Sequence, residues 1–215
     1  MQRFGDHSNL HGQCDALAHP HLLTLEAYWQ KLREAGDIPA RTDLNPARIE
    51  HVLPYTFILQ RVAAGTARFR VAGQRLHDLL KMDPRGMPFS TLFDQDCHSD
   101  VRHVIEAVCA DPAIIGLQVR SAATLLRPSL EGSVLLLPMR DTSGQMSRIL
   151  GAIVTPNTTS HKPRRFAIRN DLPRRHDRLG APRPELVSLM PHLVRPSERP
   201  DAALRPALKL VVNNG

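Results

Sequence analysis

Histidine is the residue type in this chain with the widest chemical repertoire, because imidazole binds metals and transfers protons. Four histidines are clustered near the N-terminus: His7, His11, His19 and His21. They lie in a stretch without hydrophobic periodicity, residues 1–20, which we interpret as a flexible leader. His98 and His103 are five residues apart, whereas a metal-binding pair on one helix face needs a spacing of four. We therefore predict no metal site.

The cysteines and paired aspartates form no catalytic pattern either. Cys14, Cys97 and Cys109 are odd in number and widely spaced, which fits neither a disulfide framework nor a CxxC zinc pair. Asp94 and Asp96 precede a predicted helix, where acidic side chains favour the helix dipole. The chain also lacks the GxSxG, P-loop, HExxH and GxGxxG motifs. We expect a protein that is not an enzyme and has no catalytic residues.

Charge is distributed unevenly along the 215 residues. Residues 1–156 contain sixteen basic and sixteen acidic side chains, whereas residues 157–215 contain twelve basic and five acidic ones. The whole excess of +7 thus lies in residues 157–215, and nine of the eighteen prolines lie in residues 156–215. Prolines at this density disfavour long helices and central strands. We predict that residues 156–215 form a basic, largely disordered or surface-draped tail that adds little to core stability.

Hydrophobic periodicity predicts the elements between leader and tail. Leu25, Tyr28, Trp29 and Leu32 have the spacing of one helix face, and Asn45-Pro46 predicts an N-cap followed by a helical turn. A second helix is predicted over 99–111, with Ser99 as its cap. Strands are predicted over 55–62, 67–72, 115–122, 133–140 and 148–155. No apolar run reaches the length of a membrane span, and no signal peptide is evident, so we expect a cytoplasmic protein.

Several local motifs resemble one bacterial family. YWQKLR (28–33) with GDIPARTDLNP (36–46), FRVAG (69–73), and LLLPM (135–139) with RILGA (148–152) are similar to the opening, second-strand and closing segments of a PAS-like family long described only as a domain of unknown function. The similarity covers residues 24–155. It implies an α+β fold in which five antiparallel strands carry a flanking N-terminal helix and one long crossing helix. We accordingly predict a PAS-like domain over residues 21–155.

The resemblance also suggests two cofactor hypotheses. Haem-binding PAS domains use a histidine on the long helix, which makes His103 a conceivable axial ligand. A solvent-facing His103, opposite the valine stripe of that helix, is the alternative that we favour. Flavin photoreceptors carry an Asn-Cys-Arg motif, which Asp96-Cys97-His98 does not match. The cofactor therefore stays unknown.

We expect a sensory protein that binds a small apolar ligand, a signalling partner protein, or both. The predicted pocket lies between the sheet and the 99–111 helix, although the same side chains would equally form a filled core. Its candidate residues are Phe57, Phe69, Val104, Val108, Val119 and Leu136. Trp29 is expected to be buried on the sheet or in a homodimer interface. Arg41 and Asp43 could contact a partner, but a salt bridge or turn cap within the chain is the interpretation that we favour.

A nucleic-acid-associated regulator is the alternative function. Its basic tail would bind the phosphate backbone, and the PAS-like core would be a dimerisation scaffold. The tail lacks interleaved aromatic residues for base stacking, so we favour a solvated tail instead. Any ordered part of the tail is expected to dock through Leu186, Leu189 and Met190.

Overall fold

The fold is an antiparallel sheet with helices on both faces, as the computed structural model shows for residues 18–33, 37–125, 127–157, 162–172 and 174–179. The α-helices in these ranges are α1 (Pro20–Leu32), α2 (Gln74–Leu80) and α3 (His98–Cys109). The strands are β1 (Thr56–Ala63), β2 (Thr66–Ala72), β3 (Ala113–Ser121), β4 (Leu130–Met139), β5 (Arg148–Val154), β6 (Ala167–Ile168) and β7 (Arg175–Arg178). Short 3-10 helices span Arg41–Asp43, Pro46–Tyr55, Phe89–Leu92 and Gln95–Cys97.

The five predicted strands form the sheet in the order β2-β1-β5-β4-β3, and every neighbouring pair is antiparallel. Strands β3, β4 and β5 are buried along almost their whole length, because side chains cover both faces of the sheet. Strand β2 keeps the alternation of a half-exposed edge strand. The predicted α+β, PAS-like arrangement is confirmed, with two additional short strands.

Each face of the sheet carries its own apolar cluster. The inner cluster contains the buried face of α3 with Val101, Val104, Ile105 and Val108, as its hydrophobic spacing predicts. The outer cluster is formed by α1, which buries Leu22, Leu25, Tyr28 and Trp29 against the opposite face. The two clusters share no residue, so the sheet separates an α3 layer from an α1 layer.

Trp29 is buried, as the sequence predicts, with an exposed fraction of 0%. Its indole Nε1 donates a hydrogen bond of 3.0 Å to the carbonyl oxygen of Pro138 in β4, which satisfies its only polar atom. The neighbouring Tyr28 hydroxyl accepts a hydrogen bond of 2.6 Å from the backbone N–H of Asn45. These two contacts tie α1 to the sheet and to the segment that follows it.

The helix caps follow the prediction in one case and differ in the other. The Asn45 side chain accepts from the N–H of Ala47, 3.1 Å away, and caps the 3-10 helix that begins at Pro46. Ser99, the predicted cap of α3, lies inside that helix, which begins at His98 directly after the 3-10 helix Gln95–Cys97. The preceding 3-10 turn moves the cap two positions towards the N-terminus, so Cys97 occupies the cap position.

The sheet does not end at the predicted domain boundary, residue 155. Residues 162–172 and 174–179, here called the edge segment, contribute β6 and β7, both antiparallel to the outer edge of β3. Phe166 enters the inner cluster with an exposed fraction of 0% and pairs through its backbone with Phe93. This ordered part docks through Phe166 and Ile168, whereas Leu186, Leu189 and Met190 lie outside the described residues.

Ion pairs also hold the edge segment in place. The Arg175 guanidinium contacts both carboxylate oxygens of Glu26 in α1, at 2.6 and 2.7 Å. Arg174 pairs with Asp100 in α3 at 3.0 Å, and Arg178 pairs with Asp111 at 2.9 Å. The tail residues in these ranges therefore form an ordered part of the sheet, whereas the expectation that the tail adds little to core stability stays a prediction. None of the helices in the described ranges is long and apolar enough to cross a membrane.

Candidate functional site

The six residues predicted to line a ligand pocket all lie in the inner cluster. They are Phe57, Phe69, Val104, Val108, Val119 and Leu136, and each is buried. All six therefore face the α3 layer, an orientation that the sequence pattern alone leaves open. The rings of Phe57 and Phe69 contact each other edge to face, with centroids 5.6 Å apart, and Phe89 lies 5.7 and 5.8 Å from them. The aromatic part of the predicted pocket is thus occupied by the protein's own rings.

A glycine in the central strand makes room for one of these rings. Gly151 of β5 lies opposite Phe57 of β1, and a Cβ atom at Gly151 would come within 2.3 Å of the Phe57 ring. Real Cβ atoms do not approach carbon so closely, so only glycine fits in this position without a shift of the ring. The Phe57 ring consequently covers the middle of the inner face.

An open cleft lies beside this filled interior. It has a volume of about 450 Å³ and is bounded by the N-terminal half of α3, the β1–β2 turn and the connector that contains Phe89. Its apolar residues, Ala67, Phe89, Val101 and Ile105, are buried members of the inner cluster. Its polar residues are Thr66, Ser90, Gln95, Asp96, His98, Ser99 and Arg102. A small molecule with an apolar body and polar groups matches this combination.

A carboxylate clamp connects the cleft to the sheet. Glu106 of α3 accepts a hydrogen bond of 2.5 Å from the backbone N–H of Gly65 and contacts Arg61 at 2.8 and 3.0 Å. The Gly65 N–H and the Arg61 guanidinium lower the pKa of Glu106, although its partial burial opposes them. Gly65 has a φ of 62° and lies so close to Arg102 that a Cβ atom would approach it to 2.9 Å. The turn and α3 are therefore held in direct contact.

Cys109 is buried, Cys97 is half-buried and His103 is exposed. Burial raises the pKa of Cys109 to about 11, which makes it a poor nucleophile. The half-buried Cys97 accepts a hydrogen bond of 3.4 Å from the N–H of Ile168, and Cys14 lies outside the described residues. His103 is exposed on α3, as the favoured alternative predicts. Within the part of the chain that the structure describes, no group of three or more His, Cys, Asp or Glu side chains could hold a metal ion.

A family comparison identifies the fold that this geometry belongs to. The family model described as "PAS domain" matches residues 17–154, more than half of the chain. The chain belongs to the PAS domain family. Its matched region is thus a domain of the sensory and regulatory type, and PAS domains mediate ligand and partner interactions. The match begins before α1 and ends with β5, so the edge segment lies outside it.

Solved structures similar to this PAS domain include photoreceptor domains and a DNA-binding receptor of the LuxR type. A light-oxygen-voltage domain is 13% identical, with a TM-score of 0.38 over 54% of this chain and 86% of its own. A fungal LOV domain photoreceptor is 18% identical, with a TM-score of 0.36 over 65% of this chain and 96% of its own. The VqmA dimer of Vibrio cholerae is 17% identical, with a TM-score of 0.35 over 54% of each chain. No curated protein matches the chain.

Arg41 and Asp43, near the start of the PAS domain, both take part in hydrogen bonds with backbone groups. The Asp43 carboxylate accepts a hydrogen bond of 2.8 Å from the N–H of Ala40 and caps the short turn, in line with the favoured interpretation. The backbone N–H of Arg41 donates to the carbonyl oxygen of Arg140, 2.9 Å away, which attaches this segment to the end of β4. The Arg41 side chain is exposed at the rim of an apolar groove on the outer face.

Sequence reasoning did not find the residues of the open cleft or its clamp. Gly65 and Phe89 were recognisable only as turn and connector residues, and Glu106 is one of several charged residues on α3. The Glu106–Gly65 contact joins residues 41 positions apart, and no local pattern encodes such a pairing. The only available signal was the glycine, whose positive φ permits the close approach of α3.

Proposed function

We propose that this chain is a non-catalytic regulatory protein whose PAS domain binds a small amphipathic ligand in the cleft between α3 and the β1–β2 turn. The observation that carries the proposal is the composition of that cleft, which combines an apolar floor with a polar rim. Its volume, about 450 Å³, falls within the range of small-molecule sites. The signal would pass to a partner protein in the cytoplasm.

The cleft is well placed to convert binding into a change of packing. Val101 and Ile105 belong both to the cleft and to the buried face of α3, so a ligand in the cleft contacts the helix that covers the sheet. Glu106, which directly follows Ile105 in α3, is joined to Arg61. The backbone N–H of Arg61 donates to the carbonyl oxygen of Ser147, 2.8 Å away. A shift of α3 would therefore reach β1 and the β4–β5 loop.

The cleft differs from the pocket that the sequence predicts, whereas the class of function is the same. The aromatic rings of Phe57, Phe69 and Phe89 pack against one another, which leaves the open cleft as the better candidate. The polar rim favours a ligand that carries hydrogen-bonding groups rather than a purely apolar one. Binding to a partner protein and homodimer formation stay parts of the proposal, without an assigned surface.

Four arginines of the edge segment give no support to the alternative, nucleic-acid binding through the basic tail. Arg169, Arg174, Arg175 and Arg178 each pair with a carboxylate, so their charge is already balanced within the chain. The remaining basic residues of the tail lie largely outside the described ranges. That function stays a prediction from composition.

The proposal is tested by filling the cleft. Ala67→Met places a longer side chain on the cleft floor, and Ala64→Met makes the same change at an exposed position of the adjacent turn. Small molecules released from gently purified wild-type protein are identified by mass spectrometry and then rebound to each variant. We expect the wild type and Ala64→Met to retain the ligand and Ala67→Met to lose it at an unchanged melting temperature. Equal retention by all three proteins would refute the cleft as the site.

A further inference from the structure

A second cavity lies at the far edge of the sheet from the cleft. It has a volume of about 330 Å³ and is formed where the end of α2, the loop between β3 and β4 and the start of the edge segment meet. Its polar lining consists of three hydroxyl-bearing residues, two arginines and one acid: Thr91, Ser121, Thr124, Arg127, Arg165 and Asp94. Hydroxyl groups and guanidinium groups together are donors suited to oxyanions.

A buried arginine, Arg164, contacts the lining of this cavity. Arg164 has an exposed fraction of 3%, and one of its guanidinium nitrogens contacts the carbonyl oxygen of Pro128 at 3.0 Å and the Ser121 hydroxyl at 3.4 Å. Its Nε is buried without an acceptor among the described residues. Burial lowers the pKa of Arg164, and the nearby positive charge of Arg127 lowers it further.

Arg164 therefore differs from the other arginines of the edge segment. Arg169, Arg174 and Arg175 each contact a carboxylate, whereas the contacts that the structure gives the Arg164 side chain are to neutral oxygens. A guanidinium keeps its charge at any physiological pH. A buried charge without a counterion is costly, and buried charges in proteins are normally paired. Among the described residues, the Arg164 guanidinium thus has no carboxylate partner, and an anion would supply its counterion.

Arg164 does not itself line the cavity, but it contacts or adjoins several residues that do. Ser121, which contacts the Arg164 side chain, lines the cavity. Pro163 and Arg165, the neighbours of Arg164 in the chain, line it as well. Arg127, whose positive charge lowers the pKa of Arg164, also lines the cavity. The cavity lining thus holds two guanidinium groups and one carboxylate, that of Asp94, and the buried guanidinium of Arg164 contacts the lining residue Ser121, so this region carries an excess of positive charge.

We propose that this cavity binds a small anion bearing a carboxylate or phosphate group, held by Arg127, Arg165 and the wall hydroxyl groups above the buried charge of Arg164. This site is separate from the cleft and does not depend on the function proposed for it. Because the wall includes both the β3–β4 loop and the start of the edge segment, a bound anion fastens that segment to the sheet. Ligand binding to the folded state stabilises it by mass action.

The test is thermal unfolding of the full chain with sodium phosphate, sodium succinate or sodium chloride at matched ionic strength and pH. We expect phosphate, succinate or both to raise the wild-type melting temperature by about 5 °C relative to chloride. The difference between phosphate and succinate assigns the anion class. Arg164→Met keeps the volume of the side chain and removes its charge, so this variant should melt higher than the wild type in chloride and respond to neither anion. Arg169→Met, the matched control, should keep the wild-type response.

Two further variants keep the proposal testable if Arg164→Met fails to fold. Arg165→Gln and Thr124→Val change exposed wall residues, and both should weaken the anion response while melting like the wild type in chloride. The proposal is overturned if the wild type responds to neither anion, or if Arg165→Gln and Thr124→Val respond like the wild type. Ala67→Met should respond like the wild type, which separates this test from that of the cleft.

Discussion

Trp29 shows how one side chain can satisfy two different demands. Its ring fills the outer cluster, and its Nε1 donates a hydrogen bond to the carbonyl oxygen of Pro138. A purely apolar side chain could fill the cluster but could not donate this hydrogen bond. The carbonyl belongs to β4, a strand buried on both faces, where an unsatisfied polar atom is costly. The residue thus contributes both packing and hydrogen bonding to the attachment of α1.

We expect Trp29→Ala to lower the free energy of unfolding by about 3–5 kcal/mol, since it leaves a large cavity in the outer cluster. Trp29→Phe removes the hydrogen bond and part of the ring, and should cost less than the alanine variant. Urea unfolding monitored by circular dichroism measures both values, and Leu23→Ala on the exposed side of α1 is the control. A loss below about 1 kcal/mol for Trp29→Ala, with no change in oligomeric state, would contradict the observed packing.

Gly151 and Phe57 form a pair whose members depend on each other. Gly151→Ala forces the Phe57 ring to move within a closely packed core, and we expect a loss of about 1–3 kcal/mol. Phe57→Leu alone should also destabilise the domain, because it removes ring contacts with Phe69 and Phe89. The double variant should be more stable than the sum of the two losses implies, since leucine leaves room for the new methyl group. A double-mutant cycle measures this coupling, and strictly additive losses would refute it.

At the scale of elements, the sequence predicts the five long strands and α3 well because each has a clear period. Phe57, Phe69, Val119 and Leu136 alternate with outward-facing residues, so their common orientation follows from the two-residue repeat of a strand. The short strands β6 and β7 escape prediction because two or four residues in a segment rich in arginine and proline carry no period. The one local signal was Phe166, an isolated aromatic residue in that segment.

The α3 clamp provides a pH-dependent test at the same scale. The folded protein lowers the pKa of Glu106 below its ordinary value of 4.5, so the ionised carboxylate stabilises the fold above that pH and the stabilisation is lost as the pH falls through the folded pKa. Glu106→Gln should therefore be less stable than the wild type near neutral pH, and the difference should shrink as the pH falls below 4.5. Unfolding by urea across this range measures it, with the exposed Glu50→Gln as control. A difference that does not change with pH would rule out the charged clamp.

At the scale of the whole molecule, we expect a C-terminal truncation that keeps the edge segment and one that removes it to differ in melting temperature. A chain that stops after residue 179 keeps Phe166, Ile168 and every ion pair described for the segment, and should melt within a few degrees of the full chain. A chain that stops after residue 157 loses two buried apolar side chains and uncovers the edge of β3. We expect its melting temperature to fall by about 10 °C.

The shorter chain should also self-associate, because an uncovered apolar edge strand is a template for pairing with other chains. Calorimetry and size-exclusion chromatography of both truncations test the two expectations. Equal melting temperatures and monomeric behaviour of both chains would show that the edge segment lies on the sheet without stabilising it.

The position of the edge segment also determines when the domain is completed during synthesis. Polypeptides leave the ribosome N-terminus first, and domains fold as they emerge. Once β5 has emerged, the five-stranded sheet has all of its strands, yet Phe93 still lacks its partner Phe166 and β3 still has a bare edge. Every nascent chain therefore passes through an interval in which the edge of β3, a strand that is mostly buried in the completed domain, is open to chains being made on the same messenger RNA. That interval ends only when residue 179 has been translated and released.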